Sequence, residues 1–125
     1  ENVFIPPYPG DSGGAIGASL RLIFTNIIKF YSLNSFISTA IVNIIGSFLI
    51  GYLISLSYTK NIPEYFLKYF LIIGLLGSYT TFSTFSYEVI EMLISKKFLL
   101  SVSYIIFSVI LCLLATFLGL QINKI

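Results

Sequence analysis

The residues best placed for chemistry in this sequence are neutral ones. The run Gly77-Ser78-Tyr79-Thr80-Thr81-Phe82-Ser83-Thr84-Phe85 crowds serine, threonine and tyrosine hydroxyls beside two phenylalanines three residues apart, inside a stretch that otherwise reads as lipid-soluble. Upstream, Thr39, Asn43 and Ser47 recur at i, i+4, i+8, and downstream Tyr104, Ser108 and Cys112 do the same, so each set forms a stripe along one helix face. Two polar stripes in an apolar chain suggest a lined path through a membrane rather than an enzyme. Histidine is absent and Cys112 is the only cysteine, which removes the commonest proton shuttle and any intrachain disulfide.

The surroundings fit that reading. Of 125 residues, 57% are hydrophobic and 10% charged, with a mean hydropathy of +0.96, whereas soluble domains are about one quarter charged. At roughly 20 apolar residues per span the chain has room for four crossings in one domain covering residues 1–125, and for little else. The net charge of +2 is small and dispersed, which excludes a nucleic-acid-binding face. The amino end lacks the Lys/Arg-then-apolar pattern of a signal peptide.

The expected helices cover about residues 12–30, 36–58, 63–95 and 98–122, separated by short polar connectors. Pro6, Pro7, Pro9 and Gly10 precede the first, with Asp11 or Ser12 as its N-cap. The third is too long for one perpendicular helix, and the run from Gly77 to Thr81 weakens helix propensity at its middle, so it is expected to break there into two half-helices. With four spans, Lys60, Lys68 and Lys124 fall on one side of the membrane and Lys29, Lys96 and Lys97 on the other. Under the positive-inside rule this balance favours neither orientation, as it would in a chain that inserts both ways or by chance where charges are few.

Small residues repeat every four positions: Gly10, Gly14 and Ala18, with Gly13 and Gly17, on the first segment; Ser47 and Gly51 on the second; Ala115 and Gly119 on the fourth. Such spacing lets helices approach closely in lipid, within one chain or between chains. Serine and threonine in such helices often only bond back to the preceding turn, but the amide of Asn43 needs a partner or a cavity. A helix break leaves unpaired carbonyls before it and unpaired amides after it. The carbonyls of Gly77 and Thr80 can hold a cation, and the positive end of the half-helix starting near Thr81 favours an anion. Phe82 and Phe85 share a face of that half-helix, either as core or with their positive ring edges turned to an anion. Glu88 and Glu91 are expected toward the membrane surface. Arg21, the one charge deep in the first segment, either snorkels outward or attracts anions.

Three runs, Gly13-Gly14-Ala15-Ile16-Gly17-Ala18-Ser19-Leu20-Arg21, Val42-Asn43-Ile44-Ile45-Gly46-Ser47-Phe48 and Gly77 through Glu88, closely resemble the signatures of the Fluc fluoride channels, also called CrcB proteins. The resemblance runs from about Gly13 to the end of the fourth segment. It implies an all-α, four-helix subunit of a dual-topology antiparallel homodimer in the inner membrane of a bacterium, exporting fluoride passively through two pores at the interface; pairs of such genes that work only as heterodimers also exist. It implies that Asn43, Phe82 and Phe85 line the pore, that Ser83, Thr84, Tyr104 and Ser108 form a hydroxyl track with Thr39 in the matching place, that Arg21 supports anion entry, and that a structural sodium ion rests on the Gly77 and Thr80 carbonyls of both subunits. No organic cofactor is implied.

Two departures stand out: Cys112 occupies a track position where a hydroxyl is usual and donates more weakly, and the start is proline-rich. The chemistry agrees with the resemblance. Moving a bare ion into a low-dielectric medium costs tens of kcal/mol in the Born limit, so a fluoride pore must replace water along its length, and hydroxyls, an amide and ring edges do so without binding too tightly to release. The rival is a small dual-topology exporter of cationic drugs, which needs a membrane-embedded carboxylate in the first segment, where Asp11 is the only candidate; a non-conducting assembly subunit would leave the polar stripes unexplained.

Overall fold

The computed structural model describes residues 9–31 and 34–124, and every regular element among them is helical. Helix α1 is Pro9–Phe30, α2 is Ser35–Thr59, α3 is Phe66–Leu76 and is wound in the wider π form, α4 is Phe82–Ile94, and α5 is Phe98–Gln121, followed by a 3₁₀ turn at Ile122–Lys124. A single α-turn, Gly77–Tyr79, continues α3. Among the described residues, three helical stretches are long and apolar enough to cross a membrane: α2, α5, and the bent rod Phe66–Ile94 made by α3 and α4.

The elements stop where the chemistry requires. α2 ends as Lys60 turns extended ahead of Asn61-Ile62-Pro63, its N–H still bonded to the Leu56 carbonyl at 3.0 Å. α4 ends in a tight paired closure: the Lys97 N–H reaches the Met92 carbonyl at 2.9 Å and the Lys96 N–H reaches Leu93 at 3.0 Å. That closure puts Lys96 at φ 60°, the left-handed region glycine normally supplies. At the other end, α1 is already helical at Pro9 rather than starting near Ser12, so Asp11 and Ser12 lie within the helix. The expectations for residues before Pro9 lie outside the described residues.

Packing divides into two seams. α1 lies along α3, and α2 runs parallel to α5, since the pairings of Ser47 with Thr116 and Gly51 with Leu120 advance together. Both seams depend on glycine. A Cβ at Gly13 would sit 2.5 Å from the Phe70 carbonyl oxygen, and one at Gly17 would overlap the Leu75 carbonyl. On the second seam Gly51 faces the Thr116 carbonyl and Gly119 the Phe48 carbonyl, each too closely for any side chain. Gly14, by contrast, has nothing within 4 Å, so of the repeats on α1 the Gly13/Gly17 face is inside and Gly14 looks outward.

The buried core is small: Val42, Leu76, Tyr79, Val89, Met92, Tyr104 and Ala115. Large apolar side chains such as Leu22, Ile23, Phe107 and Leu113 stand exposed along α1 and α5, and on α5, long and apolar enough to cross a membrane, such a surface suits lipid.

Two substitutions should move stability in opposite directions. Lys96→Gly removes the left-handed penalty and should stabilise the fold by about 1 kcal/mol, while Gly119→Leu forces the second seam apart and should lower the unfolding midpoint. Equilibrium unfolding in mixed detergent micelles measures both.

Candidate functional site

The rod Phe66–Ile94 does break within the expected run 77–81, at Thr80 and Thr81. Gly77 keeps helical dihedrals (φ −62°, ψ −34°), whereas Thr80 (φ −79°, ψ 157°) and Thr81 (φ −147°, ψ 117°) are extended. In a continuous helix the Thr81 N–H would bond the Gly77 carbonyl, and the Thr84 N–H would bond Thr80. Both donors go elsewhere. The Thr81 N–H donates to Asn43 Oδ1 at 2.7 Å, while Asn43 Nδ2 donates to the Thr81 carbonyl at 3.0 Å. The Thr84 N–H donates to Thr81 Oγ1 at 3.3 Å, which makes Thr81 the N-cap of α4. One asparagine side chain on α2 thus closes the break in both directions, and the Gly77 and Thr80 carbonyls are released from their helical partners.

Local sequence explains why the chain opens here. Ser78 Oγ bonds back to the Gly74 carbonyl and Thr80 Oγ1 to Leu76 at 3.0 Å, as second donors to carbonyls that already accept the Gly77 and Thr80 N–H groups. On α2, one turn after Asn43, Gly46 makes room: a Cβ there would overlap Thr80 Cγ2 and sit 3.2 Å from the Tyr79 ring. The Asn43-x-x-Gly46 spacing puts the amide and the gap on the same face.

Beyond the break, a groove of about 230 Å³ is lined by Asn43, Phe82, Phe85, Ser108, Val109, Cys112 and Leu113. Four of the residues singled out from sequence therefore meet in one place, with Cys112 beside them. The Phe82 and Phe85 rings are 5.5 Å apart and tilted by 40°; Phe82 is 77% exposed and Phe85 half-buried. Ser108 is buried, and its hydroxyl has no hydrogen-bond partner. The groove begins where α4 begins, so the unpaired amides of its first turn and the positive end of its dipole lie beside it.

Thr39 and Tyr104 lie one step further along. Both donate to Glu88, Thr39 Oγ1 at 2.8 Å and Tyr104 OH at 2.7 Å, and Ser35 Oγ adds a third bond at 3.1 Å. Glu88 is buried, at 5% exposed, while Glu91 three residues on is exposed. Three hydroxyl donors to one carboxylate offset the cost of burying it. The Tyr104 ring meets Phe85 at 5.1 Å, so this cluster adjoins the groove. On its far side Glu88 borders an open pocket of about 490 Å³ whose wall includes Asn34, Ser35, Glu91, Ser95 and Lys97.

The remaining expected residues lie apart from the groove. Ser83 and Thr84 are exposed on the first turn of α4, their hydroxyls 3.3 Å and 3.1 Å from Thr81 Oγ1. Arg21 is half-buried on α1. Sequence reasoning missed Glu88 and Gly46, although each had a signal: Glu88 falls three residues after Phe85 on the face of the two rings, and Gly46 falls three after Asn43.

Comparison with known proteins follows the same residues. The profile of the CrcB-like protein family (camphor resistance, CrcB) matches residues 12–120. The chain is 47% identical over 120 residues to a fluoride-specific ion channel FluC of Campylobacter hominis, covering 91% of each. It is 43% identical over 113 residues to proteins of the same name from Campylobacter jejuni (90% of this chain, 92% of the relative) and Flavobacterium psychrophilum (90% and 91%).

Asn43→Ala should leave the Thr81 N–H and carbonyl without their partner and destabilise the fold by about 1–3 kcal/mol. Asn43→Asp, which loses the amide donor and sets a carboxylate oxygen against the Thr81 carbonyl in an apolar surrounding, should cost at least as much. Unfolding midpoints of the two variants against the parent check both the direction and the order.

Proposed function

The chain belongs to the CrcB-like protein family, and we propose that it is a fluoride channel rather than an enzyme, passing the ion through the groove at Asn43, Phe82, Phe85 and Ser108. The observation that carries this reading is the meeting of those side chains at the positive end of α4, beside a break held open by Asn43. Every group there is neutral. A fluoride ion entering the groove exchanges water for the unpartnered Ser108 hydroxyl, the ring edges of Phe82 and Phe85, and the field of the α4 N-terminus. No fixed positive charge holds the ion, so it can leave, and a second copy closing the groove into a narrow path would disfavour the larger chloride.

Thr39 and Tyr104 extend the route from the groove toward the pocket beside Glu88. Each must release its proton from the carboxylate to donate it to an anion. Ser83 and Thr84 supply hydroxyls at the α4 start, and Arg21 raises the local anion concentration.

The complete unit on this reading is an antiparallel homodimer, each subunit crossing a bacterial plasma membrane four times, with two pores between subunits. The groove supports it by being open on one side, as half of a conduit is. A sodium ion fits the break, where the Gly77 and Thr80 carbonyls have lost their helical donors and are hard oxygen ligands. Two carbonyls fill little of its shell, so the ion needs a second copy to complete it; its charge would offset the like polarity of the facing carbonyls.

Liposomes holding the purified protein should release fluoride rapidly and chloride barely. Asn43→Ala and Phe82→Ala should slow fluoride release, and replacing sodium by a large organic cation should weaken dimer association. Proton-coupled uptake of an organic cation, with no fluoride flux, would establish the exporter instead.

A further inference from the structure

We propose that Cys112 is a binding site for a soft, thiophilic monovalent metal ion, with silver as its probe. Cys112 is half-buried and free, and it lines the groove together with Ser108, one helical turn earlier on α5. Ser108 is itself more than nine-tenths buried, and its Oγ has no partner. The groove therefore holds a sulfur ligand and an uncommitted oxygen on one wall, and two aromatic rings, Phe82 and Phe85, on another. Thiolate sulfur selects soft metals, and a neutral hydroxyl adds a second donor without competing for them. The Asn43 amide, fully engaged with Thr81, stays out of the set. Hard divalent ions have no counterpart cluster of carboxylates or imidazoles among the described residues.

Binding is a simple exchange. The S–H bond of Cys112 breaks, an S–Ag bond forms, and the proton leaves to water, with no change of oxidation state. The bound metal is then lodged against Phe82 and Phe85, so it plugs the groove. That consequence rests on the channel reading; metal uptake does not.

Because Cys112 is the only cysteine, uptake can be counted directly. The full-length protein, purified in chloride-free detergent solution, is exposed to silver nitrate, desalted, and assayed for retained silver, alongside Cys112→Ser, Cys112→Ala and Ser108→Ala, each checked for the parent's elution volume. The parent should retain a single ion per chain that dithiothreitol removes, both cysteine variants should retain none, and Ser108→Ala should retain it more weakly. In liposomes silver should abolish the parent's fluoride release and dithiothreitol restore it, while silver leaves the release rate of Cys112→Ser where it was without the metal. Equal retention by the cysteine variants, or none by the parent, overturns the proposal. Silver retained at Cys112 with undiminished fluoride release upholds the metal site and removes the groove from the ion's path.

Discussion

The reciprocal bond between the Asn43 side chain and the Thr81 backbone is the constraint on which the site depends. Within a membrane a helix cannot open without finding partners for the groups it exposes, because no water competes for them. Asn43 supplies a donor and an acceptor in one planar amide, and Thr81 presents an acceptor and a donor in one extended residue. Each satisfies the other, as two strands would. The opened turn then releases the Gly77 and Thr80 carbonyls on one side of the break and starts a new helix, with its own positive end, on the other.

A side chain as short as asparagine can do this only if α2 lies almost against the break. Close approach is therefore the second requirement, and the glycines provide it. Gly46 seats Thr80 and Tyr79, and Gly51 and Gly119 draw α2 and α5 together so that Ser108 and Cys112 come to face Asn43. Gly13 and Gly17 bring α1 onto α3, the half of the rod ahead of the break. Seams of this kind owe little to the hydrophobic effect, since lipid is as apolar as the core, and much to van der Waals contact between backbones. The polar site and the apolar packing are thus one arrangement: the groove exists because the backbones meet.

Much of this was legible in the sequence, for identifiable reasons. The break announced itself through excess span length and a run of weak helix formers, and Asn43 through an amide that a lipid-facing helix cannot leave unsatisfied. The i, i+4 stripes put Asn43 on one polar face and Ser108 and Cys112 on another, as a lined path would need. What stayed hidden needed the third dimension. Propensity marked the whole run from Gly77 to Thr81, but which of its residues open, Thr80 and Thr81 while Gly77 stays helical, is decided by the hydrogen bonds they make. The burial of Glu88 did not show because its three hydroxyl donors come from α2 and α5, far away along the chain. The family resemblance supplied roles for residues, but the partner that holds Thr81 emerged only from geometry.

The most direct test of the account is a solid-state NMR measurement on the protein in lipid bilayers, combining backbone shifts across residues 76–86 with the distance from the Thr81 amide nitrogen to the Asn43 side-chain carbonyl. The account predicts extended shifts at Thr80 and Thr81 between helical flanks and a nitrogen-to-carbonyl-oxygen separation within hydrogen-bond range. Helical shifts running unbroken through Thr80, with the Thr81 amide bonded to Gly77 and Asn43 turned to lipid, would contradict it.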